Sequence, residues 1–91
     1  MNKRTILGAV LGMALLLPGW AAADEKVPVD KLPQAVRAAI EQRFPGAELL
    51  KAERDVHRGQ IEYEVKLRHE GRRYEVEVLE NGEIRDIDRD D

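Results

Sequence analysis

From Ile61 onward, every second residue is apolar and the residues between are charged. Ile61, Tyr63, Val65 and Leu67 alternate with Glu62, Glu64, Lys66 and Arg68. The pattern resumes with Tyr74, Val76 and Val78, which alternate with Arg73, Glu75 and Glu77. A period of two sends successive side chains to opposite faces of a strand, so each run has one apolar and one charged face. The apolar members are mostly β-branched or aromatic, which suits a pleated, half-buried surface. Such strands need an apolar cover on one side and water or a partner on the other.

The turns fix how the runs pair. With Glu70-Gly71 as a two-residue loop, Leu67 faces Tyr74, Val65 faces Val76 and Tyr63 faces Val78. With Arg58-Gly59 as a second such loop, Ile61 faces Val56, Val65 faces Ala52 and Leu67 faces Leu50. A slip of one residue would turn each set outward. A less regular strand is expected over residues 47–56 and a short last one over 83–89. Asn81-Gly82, a strong hairpin signal, pairs Val76 with Ile87 on the core face and Leu79 with Ile84 on the outer face. Ile84 and Ile87, three apart, cannot both point inward from a regular strand. Either a bulge reconciles them or Leu79 and Ile84 form a small exposed apolar pair.

The cover is supplied upstream. Leu32, Val36, Ala39, Ile40 and Phe44 follow helical spacing on one stripe. Pro33 suits a first turn, and Pro45-Gly46 stops the helix. The expected architecture is α+β: one N-terminal helix packed on a four-stranded antiparallel meander. Its core comprises the helical stripe with Leu50, Val56, Ile61, Tyr63, Val65, Leu67, Tyr74, Val76, Val78 and Ile87.

The chain begins with Lys3 and Arg4, then a mostly apolar run from Ile6 to Leu17, then Pro18-Gly19 and Ala21-Ala22-Ala23. Twelve apolar-run residues fall short of the roughly 20 needed to span a bilayer. Charged start, short apolar middle and small-residue exit read as a cleavable signal peptide over 1–23. The expected localisation is periplasmic, with no membrane span after cleavage. Residues 24–31 read as a polar leader and 32–91 as the domain. The full chain has a net charge of -3, and removing Lys3 and Arg4 makes it -5. That balance argues against nucleic acid or an anionic membrane as partner. There is no cysteine in the chain, so packing rather than disulfides must hold this small domain together. Residues 24–91 also lack Ser, Thr, Trp and Met, which removes serine, threonine and thiol nucleophiles and thiolate metal sites from the mature part.

Leu32-Pro33, the Phe44-Pro45-Gly46 helix stop, Tyr63-x-Val65-x-Leu67, Gly71, Tyr74-x-Val76-x-Val78 and the Gly82 hairpin, taken in order, resemble the PepSY domain. The likeness is to its small secreted, beta-lactamase-inhibitor-protein-like form, and it covers about residues 29–89. The resemblance implies a half-cystatin-like fold and a non-catalytic role. PepSY domains occur in propeptides that restrain secreted metallopeptidases and in stand-alone envelope proteins. The family has no agreed catalytic residues to carry over.

His57 and His69 flank successive turns, at opposite ends of the sheet, and read as solvated turn residues that cannot share a metal. No catalytic residues and no cofactor are expected. The outer sheet face, by contrast, gathers Glu53, Asp55, Glu62, Glu64, Glu75, Glu77, Asp86 and Asp88, with Lys51, Lys66, Arg68 and Arg73 among them. Glu64 falls opposite both Glu53 and Glu77, Glu77 opposite Asp86, and Glu75 opposite Asp88. Like charges directly opposite are destabilising. A solvated, salt-screened face accommodates this; a cationic partner would relieve it. The leading expectation is a PepSY-type binding or regulatory module that contacts an envelope protein, such as a peptidase or a sensor ectodomain, and inhibits a peptidase in trans. The contact residues would be Glu53, Glu62, Glu64, Glu75, Glu77, Asp86 and Asp88 with Leu79 and Ile84. The alternative is a low-affinity divalent-cation binder using the same carboxylates. The tail Asp86-x-Asp88-x-Asp90-Asp91 only superficially resembles an EF-hand loop, because Asp91 stands where the turn glycine belongs.

Overall fold

A computed structural model describes residues 24–90. The expected signal peptide over 1–23 and the last residue of the acidic tail, Asp91, lie outside the described residues. Strands β1 (Asp24–Val27), β2 (Glu48–His57), β3 (Gln60–His69), β4 (Arg72–Leu79) and β5 (Ile84–Arg89) form one antiparallel sheet in chain order. Helix α1 (Gln34–Arg43) lies between β1 and β2 in the chain. The expected α+β class and the four-stranded meander are both present, with β1 as a fifth strand.

That extra strand comes from the segment read as a leader. Its four residues pair with Asp55 to Ala52 of β2, and a 3-10 turn at Val29–Lys31 leads on to the helix. Val27 and Val29 pack partly against the core. A strand this short and this charged has too few alternations to be read as one.

Helix α1 forms where its stripe predicts. The Pro33 carbonyl accepts hydrogen bonds from the N–H groups of Val36 (3.0 Å) and Arg37 (3.1 Å). At the other end Gly46 takes φ +77°, and its N–H donates to the Glu41 carboxylate at 3.2 Å. Leu32, Val36, Ile40 and Phe44 are buried against Ala52, Tyr63, Val65, Leu67, Val76 and Val78. Each fully buried aliphatic side chain contributes about 1.5–3 kcal/mol, which makes this one apolar layer the main support of a cysteine-free domain.

Both two-residue turns adopt the expected form. Arg58 and Gly59, and likewise Glu70 and Gly71, all have positive φ, the geometry of a type I′ turn. The β3–β4 register is as expected, with Leu67 opposite Tyr74, Val65 opposite Val76 and Tyr63 opposite Val78. Val56 opposite Ile61 and Ala52 opposite Val65 also hold.

Three expectations are corrected. The β2–β3 register shifts between Leu49 and Lys51, so Leu49 rather than Leu50 faces Leu67 and packs on the core. Adjacent leucines cannot both point inward, and the bulge chooses the first. Val56 is 44 % exposed, near the hairpin end, and does not join the core. The last hairpin is closed by three residues rather than two: Leu79 N–H donates to the Glu83 carbonyl and Gly82 N–H to that of Leu79, each at 2.8 Å. Ile84 then pairs with Val78 while Asp86 pairs with Glu77, which leaves Arg85 as the extra residue of a bulge. Ile84 and Ile87 consequently both pack against the core, the first of the two arrangements the sequence allowed.

Candidate functional site

The helix covers one face of the sheet, and the other carries charge in cross-strand rows. Strand register sets Lys26 of β1 opposite Glu53 of β2, Glu53 opposite Glu64 of β3, Glu64 opposite Glu77 of β4, and Glu77 opposite Asp86 of β5. Neighbouring strands are about 4.8 Å apart, so four carboxylates stand side by side with a single cation at the β1 end. The next row toward the Glu70-Gly71 turn contains Lys51, Lys66, Glu75 and Asp88. Beyond it Arg68 lies opposite both Glu48 and Arg73, and the Asp90 N–H donates to the Arg73 carbonyl at 2.9 Å. Thus the face is segregated, acidic in the middle and mixed at the Glu70-Gly71 end.

The ion pairs of the face's cations are made with carboxylates other than Glu64. Lys51 is 3.8 Å from Glu53, and Lys66 is 3.8 Å from Asp90, which Arg73 also reaches at 3.8 Å. Arg68 pairs with Glu48 at 3.1 Å. Glu64, half-buried, has carboxylates directly across from it on both neighbouring strands. Its pKa is pushed up to about 7, first by a side-chain hydrogen bond with Glu75, then by burial and by the charges of Glu75, Glu53 and Glu77. A recess of about 110 Å³ lined by Lys51, Glu53, Glu64, Lys66 and Glu75 marks the spot. Burial, then the charges of Glu62 and Asp86, also raise the Glu77 carboxyl, against an opposing pull from Arg85. Asp88 is raised chiefly by a hydrogen bond with Asp86.

The remaining expected contact residues are distributed differently. Glu62 is buried, and Arg85 donates to it at 2.9 Å; the β5 bulge supplies this counter-charge, which no period-two reading of the strand anticipates. Leu79, opposite Glu62, is only 8 % exposed, and Ile84 packs on the core side. These two therefore form no exposed apolar pair. His57 and His69 do sit at opposite ends of the sheet. His69 is not a solvated turn residue: its ring meets Phe44 edge-on at 5.4 Å, beside the Phe44–Tyr74 contact at 5.0 Å. Its position next to a turn hid this, because the ring it meets, Phe44, comes from the distant end of the helix. Lys26, Glu48, Arg85 and Asp90 are charged members of the face that sequence reasoning missed. Among the described residues, no group of three or more His, Asp or Glu side chains is arranged to hold a metal ion, and no helix is long and apolar enough to cross a membrane.

The family model described as "Putative beta-lactamase-inhibitor-like, PepSY-like" matches residues 19–86. This chain belongs to the PepSY-like family. Membership agrees with the single helix on an antiparallel sheet and with the order of the helix stop and hairpins that suggested it. PepSY-like domains are generally non-catalytic. No curated protein and no solved structure matches the chain.

Proposed function

We propose that this PepSY-like domain is exported and serves as a binding module, docking through the Glu53–Glu64–Glu77–Asp86 row onto a basic surface of another envelope protein. Restraint of a peptidase in trans is the specific form suggested by the family. The observation that carries the reading is the row itself, four carboxylates in register across four strands. A cationic partner would offset that repulsion and gain from it, since electrostatic complementarity steers association and selects partners.

The test is to immobilise the protein, capture from envelope extract, and compare it with a Glu64→Lys/Glu77→Lys double variant. Enrichment of a basic peptidase or sensor ectodomain by the original, at least tenfold reduced by the double variant and weakened by salt, is the expected result. Equal capture by the two proteins would remove the acidic row from the contact.

A further inference from the structure

We infer that the Glu64 and Glu75 carboxyls share a single proton and act as a pH-operated switch on the charge of the outer face. The ground for this is placement. Glu64 occupies the centre of the row, with Glu53 and Glu77 directly across on both neighbouring strands and Glu75 diagonal to it on β4. The groups facing it come from every strand of the sheet. β1 offers Lys26 and β2 offers Lys51, Glu53 and Asp55. β3 itself adds Glu62 and Lys66, β4 adds Glu75 and Glu77, and β5 adds Arg85, Asp86 and Asp88. Of the cations, Lys51 is paired with Glu53, Lys66 with Asp90 and Arg85 with Glu62. One shared proton between two carboxyls replaces a repulsion by a hydrogen bond, as in any close acid pair.

The proton comes from solvent and returns to it, so the face gains one negative charge when the pair ionises. The unfolded chain has no such pair, and its Glu64 has the ordinary value of 4.5. A carboxyl raised on folding adds stability that is fully present below its unfolded pKa and lost as pH rises through its folded one. The window therefore runs from about pH 4.5 to just above 7. This switch acts on the same row as the docking reading but needs no partner, so its test is independent of capture.

The experiment compares the melting temperature of the protein and of Glu64→Gln from pH 4 to 8.5, alongside a ¹³C carboxyl titration. The two proteins differ only at position 64, so the difference between the two curves isolates that carboxyl. The expected result is near-equal melting below pH 4.5 and a growing advantage of Glu64→Gln toward pH 8, with the Glu64 carboxyl titrating near 7. Glu75→Gln should lower the Glu64 midpoint by at least one pH unit. Parallel melting curves, or a Glu64 carboxyl that titrates with the other glutamates near 4.5, would overturn the inference.

Discussion

On β3 the inward side chains Tyr63, Val65 and Leu67 are at most 7 % exposed and belong to the apolar core shared with α1 and the adjoining strands. The outward ones between them, Glu64 and Lys66, are half-buried in a field of charge that the sheet register makes partly repulsive. The same ten residues thus serve two purposes. The inner face supplies non-directional stability that grows with area removed from water. The outer face contributes little net stability, and it decides how the domain responds to protons, salt and charged surfaces. A domain this small can carry such a strained face because the opposite one is closed.

Five substitutions should break or sharpen that contrast. Leu67→Ala, on the inner face, removes a fully buried side chain and should cost about 3 kcal/mol, read from the shift in the urea unfolding midpoint. Gly82→Ala probes the hairpin beneath the helix. A Cβ there would come within 2.9 Å of the Ala35 carbonyl oxygen at φ +97°, for an expected loss of about 2 kcal/mol. Gly59→Ala, with positive φ but open space around it, should lose about 1 kcal/mol. On the outer face the sign should depend on the neighbour. Glu77→Gln relieves repulsion and should gain about 0.5 kcal/mol at pH 8, whereas Glu62→Gln weakens the Arg85 ion pair and should lose about 1 kcal/mol.

Much of the inner face was legible because its two determinants, apolar spacing and turn residues, are local. The stripe Leu32, Val36, Ile40, Phe44 and the loops Arg58-Gly59 and Glu70-Gly71 each announce their geometry within a few residues. What stayed hidden depends on where the ladder skips a residue. The bulges at Leu50 and Arg85 follow from competition between neighbouring apolar residues for one side of the sheet, and the strand pattern alone does not say which residue yields. The carboxylate row was legible down to its pairings, since the two well-determined turns set Glu53 and Glu77 on either side of Glu64. Its counter-charges were not. Lys26 depends on a strand too short to show a period, Arg85 on a bulge, and Asp90 on contacts that continue past the last strand.

Both margins of the sheet are short strands, β1 and β5, and a free strand margin is a template on which another copy can polymerise. Here one margin carries Glu25 and Lys26. The other carries Arg85, Asp86, Asp88 and Arg89 and is twisted by its bulge. An incoming strand would have to seat itself against alternating charge on a kinked backbone. The domain can therefore leave a whole sheet face open without inviting fibril growth from its sides.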